Sequence, residues 1–164
     1  MIIHSLKISV TAYQKQLLTV MLGPSPYKAN YKNTFGKMIF HSYGKGAPKA
    51  KQHFNDELFY EIEIPSSWVE RHGLSFPDKE SIDDFIETLD KQFKNRLYTY
   101  IEGVLDFKGQ YNKLNKVKLV AKMKDAACMF LEKNGFNEDL VKFETIKKGY
   151  QRYIKNRQSL DRVA

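Results

Sequence analysis

A stripe of apolar side chains between residues 82 and 104 constrains the fold of this chain more than any other feature. The apolar residues recur at every third or fourth position over about six helical turns, which predicts one long helix with a buried face. We expect this helix to open at Pro77-Asp78, to use Ser81 and Asp84 as a capping box, and to fray or end at Gly103. The stripe consists of Ile82, Phe85, Ile86, Leu89, Phe93, Leu97, Tyr100, Ile101 and Val104.

Two shorter stretches, Ile3 to Val10 and Leu58 to Ile64, alternate between apolar and polar residues. This period of two is typical of a strand with one face buried. We expect the two strands to pair, because a strand without a neighbour is not stable in a small domain. The residues predicted to share one side are His4, Leu6, Ile8 and Val10 in the first strand, and Leu58, Tyr60, Ile62 and Ile64 in the second.

Capping and breaking residues predict three further helices in the first half of the chain. Thr11 is placed to cap a helix from Ala12 to Leu22, and the residues Gly-Pro-Ser-Pro at 23–26 end it. A second helix is predicted from Thr34 to Tyr43, and a short third helix from Trp68 to His72. The predicted fold is therefore α+β and mostly helical, with a small antiparallel sheet of two or three strands that the long helix covers.

The C-terminal part of the chain predicts a pair of helices. The first begins near Asn115 and ends at Asn134-Gly135, and the second runs from Phe143 to Arg157. The layout resembles a helix-turn-helix, although the predicted turn of about 7 residues is longer than the usual 3–4. In the second helix the apolar arc is Phe143, Ile146, Tyr150, Tyr153 and Ile154, and the opposite side holds Lys147, Lys148, Gln151, Arg152 and Lys155.

The charges of the chain change sign twice along its length. Residues 1–51 hold 8 Lys+Arg and 0 Asp+Glu, residues 52–107 hold 5 and 13, and residues 108–164 hold 14 and 6, for a net charge of +8. The two basic ends could flank one nucleic-acid site, or the acidic middle could neutralise one of them within the monomer or across an oligomer. We predict an α+β core at residues 1–107 and a basic helical pair at 108–164, which could pack as one domain.

Several classes of protein find no support in the sequence. The chain lacks a run of about 18 apolar residues for a membrane span, and its first residues lack the order of a signal peptide. The single cysteine, Cys128, cannot form a disulfide within the chain, so a cytoplasmic location is the simplest expectation. The four histidines are scattered, and we expect no metal and no cofactor.

The segment at 44–51 is rich in glycine and lysine and reads as a basic loop. It lacks the pattern of a phosphate-binding P-loop, but Lys45, Lys49 and Lys51 could contact a phosphate backbone.

These observations predict a non-enzymatic DNA-binding protein of the regulator, phage or mobile-element accessory type. The residues predicted to contact nucleic acid are Lys147, Lys148, Gln151, Arg152, Lys155, Lys45, Lys49 and Lys51. The alternative is an assembly module that self-associates through its oppositely charged segments. A third possibility is a metal-dependent nuclease that uses Glu61 and Glu63, which lie on one face of the second strand.

Overall fold

The computed structural model describes residues 3–32, 34–42, 58–72, 79–107 and 116–160. The fold is α+β and mostly helical, as predicted. The chain divides into two compact units, residues 1–91 and residues 92–164. In chain order the elements are β1 (Ile3–Ser9), α1 (Ala12–Leu22), β2 (Tyr27–Lys28), α2 (Thr34–Ser42), β3 (Phe59–Pro65), α3 (Ser66–His72), α4 (Lys79–Phe107), α5 (Lys116–Lys133) and α6 (Phe143–Leu160).

The sheet of the first unit has the strand order β1-β3-β2. The predicted pairing of β1 with β3 is confirmed: the strands are antiparallel, with Ile3 opposite Pro65 and Ser9 opposite Phe59. The prediction of a purely antiparallel sheet is wrong, because β2 runs parallel to β3 on its other side. A strand of two residues shows no alternation, so it leaves no periodic signal in the sequence.

The core of the first unit follows from the alternation along β1 and β3. Every second residue from Leu6 to Val10 and from Tyr60 to Ile64 is buried. The prediction fails at Leu58, which is 39 % exposed because β3 begins one residue later. The phenol of Tyr60 is buried and donates a hydrogen bond of 2.7 Å to the carbonyl oxygen of Gly23. Burial, with a smaller contribution from Tyr27, raises the pKa of Tyr60 above its ordinary value.

Helix α1 begins as predicted at a threonine cap. The hydroxyl of Thr11 accepts from the backbone N–H of Gln14 at 3.2 Å, and the Gln14 side chain accepts from the backbone N–H of Thr11 at 2.8 Å. This reciprocal capping box pairs backbone donors that would otherwise have no partner at the helix start. Gly23, with φ 121°, follows the helix in a backbone conformation that favours glycine.

Helix α4 differs from its prediction at both ends. It begins at Lys79, so Ser81 lies inside the helix and is not its cap. It also continues through Gly103 to Phe107, and Gly103 is an exposed interior residue. Glycine in a helix interior costs only about 1 kcal/mol, which neighbouring buried contacts outweigh. The predicted opening at Pro77-Asp78 lies outside the described residues, and the boundary between the two units falls within α4, at Lys91 and Gln92.

The second unit contains the last part of α4 together with α5 and α6. As predicted, α5 ends at Asn134-Gly135: Gly135 has φ 71° and donates to the carbonyl of Glu132, and Phe136 donates to the carbonyl of Leu131 at 2.9 Å. This is a Schellman motif, and its two apolar residues, Leu131 and Phe136, are buried. The ring of Phe136 also packs against Phe93 of α4, with 4.9 Å between centroids.

Candidate functional site

Helix α6 has the two faces that its sequence predicts, and both are defined within the second unit. On the docked face Ile146 and Tyr150 are buried, and Phe143, Tyr153 and Ile154 are half-buried. Tyr98 of α4 packs against this face, with ring centroids 6.0 Å from Tyr150 and 5.4 Å from Tyr153. Tyrosine rings therefore anchor α6 and leave its other side to solvent.

The exposed side of α6 holds four of the eight predicted contact residues. Lys148, Arg152 and Lys155 are exposed, and we call these three residues the cationic face. They are spaced four and three positions apart, so they lie on one side of the helix over about 10 Å. None of the three side chains makes an ion pair or a hydrogen bond with any residue that the structure describes. Gln151 is exposed between them and adds an uncharged donor and acceptor.

Lys147 does not belong to this exposed face, contrary to the prediction. Its side chain is 30 % exposed, and its ammonium group lies 3.6 Å from the carboxylate of Glu144. The reason is its position on the helix, four residues after Phe143 and three before Tyr150, which lays its aliphatic stem along the docked side. Its charge is also partly balanced by Glu144.

Arg157 is, after Lys147, a second cation of α6 that pairs with a carboxylate. Its guanidinium group donates to the carboxylate of Glu102 in α4 at 2.5 Å, and this carboxylate, followed by Tyr153, raises the pKa of Arg157. The sequence interpretation missed this pair, because Glu102 lies 55 positions away in the chain. The one indication of this ion pair in the sequence is the helical position of residue 157, which falls on the docked side of α6.

The strand face with Glu61 and Glu63 makes contacts within the first unit. Glu61 accepts a hydrogen bond from the hydroxyl of Ser5. The Oε2 atom of Glu63 lies 3.9 Å from the ammonium group of Lys28, beyond hydrogen-bond distance, and is buried without a hydrogen-bond partner among the described residues. Across the described ranges, no group of three or more His, Cys, Asp or Glu side chains is arranged to hold a metal ion. The geometry thus adds nothing to the nuclease hypothesis.

The remaining predicted contact residues, Lys45, Lys49 and Lys51, lie outside the described residues. The connection between α5 and α6 spans residues 134–142, which is longer than the turn of a compact helix-turn-helix. A pair of helices joined by a turn is therefore present, but the tight turn of that motif is not.

Within the part of the chain that the structure covers, no helix combines the length and the apolar character needed to cross a bilayer.

Comparisons with known proteins found no relatives. No protein-family model matches the chain, and neither a curated protein nor a solved structure is significantly similar to it.

Proposed function

We propose that this chain binds DNA without catalysing a reaction, and that the cationic face of α6 contacts the phosphate backbone. A regulator or an accessory protein of a phage or mobile element would carry such an activity. We also propose a cytoplasmic location, since the single cysteine gives the chain no disulfide of its own.

The observation that carries this proposal is the difference between two sets of cations on one helix. Arg157 and Lys147 have carboxylate partners at 2.5 Å and 3.6 Å. The three residues of the cationic face have no such partner among the described residues, although charged side chains of both signs are abundant in the chain. Cationic side chains without a local counter-charge can replace the counterions that are condensed on a polyanion. The release of those counterions favours binding.

The spacing of the cationic face suits a duplex. About 10 Å along the helix covers roughly three base-pair steps of B-DNA, at about 3.4 Å per step on each strand. If each of the three cations contacts one phosphate, the logarithm of the binding constant should fall with the logarithm of salt concentration with a slope of about −2.7 from this face alone. Lys45, Lys49 and Lys51 would make the slope steeper if they also contact phosphates.

Binding to a labelled mixed-sequence duplex at several salt concentrations tests the proposal. The decisive comparison is Arg152→Gln against Arg157→Gln, because both variants remove one arginine charge from the same helix. We expect Arg152→Gln to lower the size of the salt slope by about 1, and Arg157→Gln to leave it nearly unchanged. In the triple variant Lys148→Gln, Arg152→Gln, Lys155→Gln the size of the salt slope should fall by about 2.7.

Two results would contradict the proposal. One is the absence of duplex binding by the wild type at low salt. The other is an equal effect of Arg152→Gln and Arg157→Gln, which would show that only the net charge matters. Light scattering at the same salt concentrations identifies the assembly alternative, since a salt-sensitive oligomer that binds no DNA would indicate charge-driven self-association.

A further inference from the structure

A second surface with recognisable chemistry lies in the first unit, around Tyr31. Tyr31 is 47 % exposed as a residue, although its ring makes edge-to-face contacts with Phe40 at 5.0 Å and with Trp68 at 6.1 Å between centroids. Phe40 and Trp68 contact each other at 5.2 Å. Tyr31 therefore contacts two other rings while about half of the residue remains open to solvent.

The turn that carries Tyr31 is held against α2. A Cβ atom at Gly36 would lie 1.8 Å from the backbone oxygen of Asn30, so the turn and the helix approach each other as closely as a glycine allows. The Asn30 side chain also accepts a hydrogen bond of 2.9 Å from the backbone N–H of Lys32. These contacts fix the backbone on both sides of Tyr31, so its ring is positioned before any ligand arrives.

The surroundings of Tyr31 are basic. The ammonium group of Lys37 lies over the Tyr31 ring, 6.0 Å from its centre, and Lys32 next to Tyr31 is exposed. A base that stacks on this face would displace the flexible Lys37 side chain towards the neighbouring phosphate. Residues 1–51 contain 0 Asp+Glu, so no carboxylate of the same segment offsets these charges. In α3, Arg71 lies three positions after Trp68 and so near its side of the helix, whereas Glu70, two positions after it, points nearly the opposite way.

We propose that Tyr31 is a stacking platform for a base of single-stranded nucleic acid, with Lys32 and Lys37 contacting the adjacent phosphates. An open aromatic ring beside lysines combines the two contacts that such strands use, base stacking and charge. In a duplex the bases are stacked on each other and cannot reach the ring, so the site selects single strands. This inference does not rest on the cationic face of α6.

The single tryptophan of the chain gives this proposal a direct readout. Trp68 contacts Tyr31, so a base that stacks on Tyr31 should change the emission of Trp68. We expect short oligo-dT and oligo-U strands to produce a saturable change at low salt. Tyr31→Ala should weaken this binding about tenfold or more, and Tyr31→Phe, which keeps the ring, should restore it. Phe59→Ala removes another exposed aromatic ring of the same unit, 41 % exposed, and should leave binding unchanged.

The outcomes separate this site from the one on α6. The triple variant Lys148→Gln, Arg152→Gln, Lys155→Gln should keep the Trp68 response to oligo-dT even where duplex binding is lost. The proposal is overturned if Tyr31→Ala binds oligo-dT as tightly as the wild type, or if the Trp68 emission of the wild type stays constant when oligo-dT saturates the protein. It is also overturned if thymidine monophosphate binds as tightly as the oligonucleotide, because strand phosphates would then contribute nothing.

Discussion

A Cβ atom at position 149 of α6 would lie 1.9 Å from the phenolic oxygen of Tyr98 in α4. Gly149 therefore allows the two helices to approach where Tyr98 packs against Tyr150 and Tyr153. The tyrosine ring cannot swing away freely, because it is buried between these neighbours. The docking of the proposed DNA-contacting helix thus depends on a residue without a side chain.

We expect Gly149→Ala to lower the free energy of unfolding by about 1–3 kcal/mol, the usual cost of overpacking a filled site. Gly103→Ala is the matched control, because a Cβ atom there has nothing within 4 Å and alanine favours the helix. That control should gain up to about 1 kcal/mol. Urea unfolding of both variants checks the prediction, and equal stabilities would contradict it.

Gly36→Ala should also destabilise the protein, by about 1–3 kcal/mol or more. The added Cβ would meet backbone atoms of Asn30 at 1.8 Å and 2.4 Å, and backbone cannot rotate out of the way as a side chain can. Because the turn with Tyr31 must shift, the emission of Trp68 should change even without a ligand. If Gly36→Ala leaves both the Trp68 emission spectrum and the unfolding midpoint unchanged, the turn accommodates the added Cβ atom without a loss of stability, and the prediction is wrong.

Tyr60→Phe should cost about 1 kcal/mol near neutral pH, since it removes the hydrogen bond to Gly23. Because burial raises the pKa of Tyr60 above its ordinary value of 10.0, the folded protein keeps this proton where the unfolded chain has lost it. The contribution of the hydroxyl is therefore fully present below about pH 10 and is lost as the pH rises further. Urea unfolding of the wild type and of Tyr60→Phe from pH 7 upward should show that the difference in their free energies of unfolding shrinks above about pH 10. A difference that stays constant would contradict the raised pKa of Tyr60.

The thiol of Cys128 should react slowly with alkylating reagents near neutral pH. Burial, followed by the nearby Glu138, raises the pKa of this thiol, and the thiolate is the reactive form. The rate should increase when the protein is unfolded in denaturant, and the single cysteine makes the measurement unambiguous. A rate in the folded protein that matches the denatured one would contradict the raised pKa.

Local signals in the chain were sufficient for most of the helices and for two of the strands. The alternation around Tyr60 and Ile62 located β3, and Thr11 with Gln14 located the start of α1. Asn134-Gly135 located the end of α5. Each of these signals acts between residues a few positions apart, which a linear pattern records directly. The exposure of Lys148, Arg152 and Lys155 followed in the same way, from the angular period of the helix.

Contacts between distant residues decided the rest. β2 is a strand only because β3 lies beside it. Arg157 forms an ion pair because Glu102, 55 positions away in the chain, lies next to it in the folded unit. The partial burial of Lys147 and the need for glycine at 149 likewise depend on a helix face meeting its neighbour. A periodic pattern indicates which face is buried, but it does not indicate which carboxylate or ring will lie opposite. Which cations of α6 pair with a carboxylate is therefore a property of the packed unit, because pairing depends on distances that only folding creates.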